Sequence, residues 1–221
     1  MQPVVEQSEP IKPEIGLIPH LIGKLFYAIS GWKLAGRVPN VPKAVLIGAP
    51  HTSNYDGLVT LMTSWVARRR IGWLIKAEWL RPPFGWVLSR LGAIGIDRQQ
   101  GFGFVEDAVQ RFEQSETLFM AIAPEGTRRK SDHWKTGFYW IALQADVPIF
   151  LLAFNYEKKE LQILTPALKL SGDIKADMEE IWAHYEGIQG RFPDRVSDRR
   201  LRPGSSRPPR SISFGGEEQP Q

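Results

Sequence analysis

Apolar residues recur along this chain in two alternating rhythms. Leu21, Ile22, Leu25, Phe26 and Ile29 fall at helical spacing within "PHLIGKLFYAISGW", with His20, Lys24 and Ser30 elsewhere on the wheel, which predicts an amphipathic helix over residues 15–33. A continuous apolar run, "AVLIGA" at 44–49, then reads as a buried strand. Leu58, Leu61, Met62, Trp65 and Val66 return to helical spacing, and Arg68, Arg69 and Arg70 complement the carboxyl end of that helix dipole. "GWLIKA" (72–77) predicts a second strand. A helix opening near Pro83 ends at Gly92, where a left-handed cap suits glycine, and "AIGID" (93–97) predicts a third strand. Phe104, Val105, Ala108, Val109 and Phe112 mark a further helix, and "TLFMAIA" (117–123) a fourth strand. A helix over 137–146 leads into "VPIFLLAF" (147–154), the fifth; "LQILTPAL" is a candidate additional strand, and 173–187 a closing helix.

Strands that alternate with helices need crossover connections, so the predicted fold is α/β, a mostly parallel central sheet flanked by helices. There is no internal repeat. Sheets of this kind carry their chemistry on the loops that leave the carboxyl ends of the strands. A length of 221 residues suits one domain with a sizeable core. Residues 1–14, polar and proline-bearing, read as a flexible leader, and 15–189 as the domain. From Gly190 onward, "GRFPDRVSDRRLRPGSSRPPRSISFGGEEQPQ" is rich in Arg, Pro, Ser and Gly with little to bury, and reads as a disordered basic tail. Its arginines would attract anionic lipid or nucleic acid; a solvated tail with no ordered partner is the simpler reading.

Composition changes this picture in three ways. A net charge of +4 points to an anionic partner. The absence of cysteine removes disulfides, thiolate metal sites and cysteine nucleophiles together, and fits a reducing compartment. Eight tryptophans, with Trp65, Trp73, Trp79 and Trp86 in one segment, favour an apolar or amphiphilic surface, while core packing alone would explain most of them. No apolar run of about 18 residues is present, so a spanning helix is not expected. Glu6 and Glu9 stand where a secretory signal would be basic, so a cytoplasmic location is expected. The 15–33 helix keeps two readings open: packing against the domain's own core, or lying in a membrane interface with Trp32 and Lys33 at headgroup level.

The strand ends carry the candidate chemistry. After the first comes "HTSNYD", with His51 and Asp56 five positions apart. A histidine titrates near neutrality and can take a proton from a hydroxyl, while a carboxylate on its other nitrogen fixes the tautomer. On a continuous helix five positions would separate the side chains by about 140°, so their pairing needs the turn that "TSN" supplies, with Ser53 or Asn54 capping the next helix. This spacing alone is weak: at this composition it arises by chance in about one such chain in six, so a polar helix entry is the better reading of the pair taken by itself. After the second strand come Lys76 and Glu78, after the third Asp97 and Arg98, and after the fourth "APEGTRRK". In the last, Gly126 permits close backbone approach, Thr127 offers a hydroxyl and Arg128 a planar fork matched to phosphate. Singly each reads as a surface turn. Jointly they place Lys76, Arg98 and Arg128 on one rim with the His/Asp pair, three cations able to hold a phosphate near a base.

With that order of elements the sequence resembles the glycerolipid acyltransferase family typified by 1-acyl-sn-glycerol-3-phosphate acyltransferase. "HTSNYD" matches its His-x4-Asp motif, "GAIGIDR" its second block, "APEGTR" its Glu-Gly-Thr-Arg block and "VPI" its fourth; "WKTGFYWIA", with Lys135 and Gly137, looks like the stretch after the third. The resemblance spans about residues 40–155. It implies that His51 is the general base on the acceptor hydroxyl, that Asp56 orients it, and that the hydroxyl attacks an acyl thioester directly, which agrees with the absence of cysteine and of a Gly-x-Ser-x-Gly elbow. It further implies that Arg98, Glu125, Gly126, Thr127 and Arg128 bind the glycerol-phosphate end, with Lys76 a lesser addition and Pro148 beside the acyl donor, and that no metal or organic cofactor takes part. This sequence departs from the family where Ala123 replaces an aromatic, Arg129 a serine and Gly95 a bulky residue, all at the acceptor rim.

The activity implied is transfer of a fatty acyl group from acyl-CoA or acyl carrier protein to 1-acyl-sn-glycerol-3-phosphate (lysophosphatidic acid), giving phosphatidic acid. The expected setting is peripheral, on the inner face of the cytoplasmic membrane, with no nucleic-acid partner. Two alternatives remain: an acyltransferase remodelling another lysophospholipid, and a non-catalytic protein binding anionic membrane or nucleic acid through the basic tail. A metal-dependent hydrolase is disfavoured, because no second histidine or carboxylate cluster lies at ligand spacing.

Overall fold

The computed structural model describes residues 11–96 and 103–202. Seven strands form one sheet: β1 (Lys33–Ala35), β2 (Lys43–Ala49), β3 (Ile71–Lys76), β4 (Ala93–Ile96), β5 (Leu118–Ile122), β6 (Ile149–Asn155) and β7 (Glu160–Leu168), in the order β1-β7-β6-β2-β5-β3-β4. All neighbours run parallel except β6 and β7. The helices are α1 (Leu17–Ser30), α2 (Asn54–Ala67), α3 (Gly85–Arg90), α4 (Gly103–Gln114), α5 (Gly137–Gln144) and α6 (Ile174–Ala183). The mostly parallel α/β architecture expected from the alternating rhythms is the one observed.

Strand β2 lies at the centre and shows why its sequence lacks alternation. Val45, Ile47 and Ala49 belong to the core shared with α4, α5 and α6, while Ala44 and Leu46 belong to the core shared with Trp32, Val59 of α2 and Phe119. A strand buried on both faces has no solvent side to mark with polar residues.

Helix α1 packs with the opposite face from the one its apolar stripe suggests. A methyl group on Gly23 would sit 3.0 Å from the Met62 carbonyl oxygen, so this glycine lets α1 lie close against α2. The His20 ring Nδ1 faces the carbonyls of Trp65 and Val66 at 3.3 and 3.1 Å, and the Tyr27 hydroxyl bonds Thr63 Oγ1 at 2.6 Å. Packing thus uses the small and polar side of the wheel together with Tyr27 and the half-buried Phe26. Leu17, Ile18, Leu21, Ile22, Leu25 and Ile29 point outward, with Ile18 73% and Ile29 76% exposed. Among the described residues no helix is long and apolar enough to cross a membrane.

Both chain-end readings need correction. Residues 11–14 were expected in a flexible leader, yet the Glu14 carboxylate accepts from the Arg70 backbone N–H at 2.7 Å and Ile11 N–H donates to Asn40 Oδ1 at 3.2 Å. Residues 190–202 were expected in a disordered tail, yet Trp134 N–H donates to the Arg200 carbonyl, Asp198 N–H to the Ser131 carbonyl, and Leu201 packs on the buried core. A few anchors suffice to hold a short segment whose average composition is polar. The rest of the predicted leader and tail, 1–10 and 203–221, and the candidate Arg98 with Asp97, lie outside the described residues.

Candidate active site

Three loops meet at the carboxyl ends of the central strands. His51 follows β2, Glu125 follows β5, and Tyr156 follows β6, and β5 and β6 are the two neighbours of β2. Sheet order therefore brings together residues that lie 74 and 100 positions apart in the chain.

Asp56 is the hub of this cluster. Ser53 caps α2, its hydroxyl accepting from Tyr55 N–H at 3.1 Å, and Asp56 completes a capping box by reaching back to Ser53 N–H at 2.9 Å. The same carboxylate oxygen, Oδ2, also accepts from Thr52 N–H at 3.0 Å and stands 3.0 Å from His51 Nδ1. The other oxygen, Oδ1, accepts from the Tyr156 hydroxyl. Asp56 is 1% exposed, and its four partners compensate the burial of its charge. An ionised carboxylate only accepts, so Nδ1 of His51 carries the proton and Nε2 presents a lone pair. No described residue hydrogen-bonds to Nε2, and the imidazole keeps 21% of its surface exposed. The polar entry of α2 thus also orients the His51 imidazole.

Tyr156 is the residue that sequence reasoning missed. Burial first, then its bond to Asp56, push its phenol well above the usual range, so it stays a neutral donor. Trp32 meets its ring edge to face at 4.9 Å. Its only legible signal was position: a polar aromatic just past the end of the strand beside β2.

Glu125 is 2% exposed and accepts from the His51 backbone N–H at 2.8 Å. Burial pushes its carboxyl up to about 8; the His51 N–H opposes the shift and the charge of Asp56 adds to it. Near neutral pH Glu125 is therefore largely protonated, and it holds the backbone that bears the imidazole. Gly126 adopts φ +64, a left-handed turn in which a Cβ would fall 2.8 Å from Lys135 Cε. Thr127 Oγ1 accepts from Arg129 N–H at 3.1 Å, and Arg128 is exposed.

An open cleft of about 560 Å³ lies against the α2 entry, lined by Thr52, Ser53, Asn54, Tyr55, Leu58 and Arg128, and by Arg191, Phe192 and Arg195 from the presumed tail. Lys76 does not join it. It ends β3, which β5 separates from β2, about 10 Å away by ordinary strand spacing, and pairs with Glu78 at 3.1 Å on the surface. Pro148, expected beside the donor, precedes β6 at its amino end and gives its carbonyl to Val45 N–H at 3.0 Å, at the opposite edge of the sheet from the site. Among the described residues no group of three histidine or acidic side chains is placed to hold a metal ion.

A family model described as acyltransferase matches residues 36–154, just over half of the chain and inclusive of His51, Asp56 and the Glu125–Arg128 turn. Among solved structures, the crystal structure of the 1-acyl-sn-glycerophosphate (LPA) acyltransferase PlsC from Thermotoga maritima is similar, with a TM-score of 0.52 and 14% identity, covering 79% of this chain and 80% of that one. At that identity the likeness is one of fold. No curated protein matches the chain.

Proposed function

We propose, from the premise that this chain belongs to the acyltransferase family, that it acylates the free hydroxyl of 1-acyl-sn-glycerol-3-phosphate from a fatty acyl thioester of coenzyme A or acyl carrier protein, giving phosphatidic acid. The observation that carries this reading is the 3.0 Å contact of His51 Nδ1 with Asp56 Oδ2, which leaves Nε2 without a hydrogen-bond partner among the described residues, one position before Thr52 in the wall of a cationic cleft. As the acceptor hydroxyl gives its proton to Nε2, its oxygen forms a bond to the thioester carbonyl carbon. The C–S bond then breaks, and the thiolate takes the proton from the imidazolium, which restores neutral His51. Asp56 stabilises the transient imidazolium, and no acyl-enzyme is needed.

Arg128, whose side chain lines the cleft, would hold the acceptor phosphate. Attachment to a membrane surface is part of this reading, supported by the outward apolar side of α1 and by Trp79, Phe84 and Trp86 near the carboxyl end of β3, exposed by 63%, 70% and 67%. Vesicles of anionic lipid should float the wild type and fail to float a variant with Ile18, Leu21 and Leu25 changed to Ser; equal flotation would refute this attachment.

The test of the chemistry is conversion of lysophosphatidic acid to phosphatidic acid with palmitoyl-CoA, and in parallel with palmitoyl-acyl carrier protein. His51→Ala should lose ~10²–10⁴-fold in kcat with unchanged circular dichroism. A folded, fully active His51→Ala would refute the mechanism.

A further inference from the structure

Arg128 is not alone in the cleft. Segment 190–195 brings two more guanidinium groups to the α2 entry, and the contacts that hold it there are specific. Phe192 N–H donates to Thr52 Oγ1 at 3.3 Å, and Tyr156 N–H donates to the Gln189 carbonyl at 2.9 Å. Gly190 lies so close to the entry that a Cβ there would meet Thr52 Oγ1 at 2.9 Å and Pro50 Cγ at 3.2 Å. Arg191 is placed by these anchors: its Nη1 is 3.4 Å from Ser53 Oγ and its guanidinium lies 5.4 Å from the Tyr55 ring centroid. Arg195 stacks at 4.3 Å on the Phe192 ring.

Among the described residues no carboxylate forms an ion pair with Arg128, Arg191 or Arg195. Three cations facing one cleft repel one another, and the amino end of α2 adds positive potential of its own. An anion with several oxygens relieves that repulsion. Guanidinium forks match phosphate geometry, and stacking on Phe192 and Tyr55 fixes their planes at little entropic cost.

We propose that Arg191 and Arg195 complete, with Arg128, a subsite for a phosphate group, so that the segment after α6 is part of the substrate-binding machinery. The phosphate is either the monoester of the acceptor lysolipid or a phosphate of a coenzyme A donor. The identity of the substrate rests on the acyl-transfer reading; the binding of phosphate does not.

The experiment measures binding of two fragments to the full chain by titration calorimetry: glycerol 3-phosphate for the acceptor, and adenosine 3′,5′-bisphosphate for the donor. The wild type should bind one of them saturably, and Arg191→Gln/Arg195→Gln should weaken that binding tenfold or more, the usual loss for hydrogen bonds to a charged group. Arg191→Lys/Arg195→Lys should recover part of it, because charge returns without the fork. The fragment affected identifies the source of the phosphate. If the double glutamine variant does not fold, Arg195→Gln alone carries the test, since among the described residues its guanidinium interacts with the Phe192 ring alone. Equal binding by wild type and glutamine variants, or no saturable binding of either fragment by the wild type, would overturn the subsite. Arginine-dependent binding in a wild type that transfers no acyl group would keep the subsite and refute the acyl-transfer reading; turnover with KM unchanged for both substrates would do the reverse.

Discussion

The rim of the sheet behaves differently at its centre and at its β3–β4 side. Over β6, β2 and β5 the loop residues bond to one another: Tyr156 and His51 to Asp56, and Glu125 to the His51 backbone. Over β3 the corresponding cation, Lys76, pairs with its near neighbour Glu78 in solvent. Adjacent strand ends let short side chains reach each other from distant parts of the chain, and one intervening strand is enough to prevent it. A reactive cluster in this fold is therefore specified by strand order, and strand order is not written in any local motif.

The contrast orders the expected effects of substitution. Asp56→Asn should be the most damaging of the set, because the residue both orients His51 and completes the cap of α2. We expect kcat to fall ~10²-fold or more and thermal stability to drop by about 1–3 kcal/mol, read by turnover and by denaturant titration; retention of either property would separate the two roles. Tyr156→Phe removes one donor to the same carboxylate and leaves the helix entry intact. Its kcat should fall about tenfold with KM unchanged, the scale of one hydrogen bond to a charged group.

Glu125→Gln should act through pH. The folded carboxyl, pushed up to about 8 from an ordinary 4.5, binds its proton more tightly than the unfolded one. Stability linked to this group is thus complete below about pH 4.5 and is lost as pH rises through about 8. Melting temperatures of the two proteins across pH 5–9 should diverge progressively in favour of Gln, and parallel curves would refute the assignment. Lys76→Ala, at the far side of the rim, should change kcat/KM less than about twofold, since exposed ion pairs contribute little. A tenfold loss there would mean that β3 reaches the substrate after all.

Much of this was legible in the sequence for a physical reason. Burial on both faces makes parallel strands read as unbroken apolar runs, so β2, β3, β5 and β6 stood out, and the turn in "HTSNYD" correctly predicted a helix entry that folds Asp56 back on His51. Strand β1 did not stand out, because it pairs only with β7 over three residues and is half-exposed. The orientation of α1 was hidden because its stripe is apolar by composition, while its packing rests on Gly23, His20 and Tyr27. Residues 190–202 were hidden because scattered anchors such as Phe192, Ser197 and Leu201 are diluted in a window of arginine and proline. The cations of the rim separate in the structure: Arg128 lines the cleft, Lys76 does not, and Arg191 and Arg195, which the sequence places in a tail, do.

The proposed chemistry stands on Asp56 fixing His51 with its proton on Nδ1 and its lone pair on Nε2. Nitrogen NMR of the protein labelled with 15N-histidine, with the His51 signals assigned by their loss in His51→Gln, reads this directly at a pH where the ring is neutral. We expect a protonated Nδ1 and an unprotonated Nε2 in the wild type, with that preference lost in Asp56→Asn. A wild-type ring protonated on Nε2 would contradict it, and would leave "HTSNYD" as a helix entry without a base.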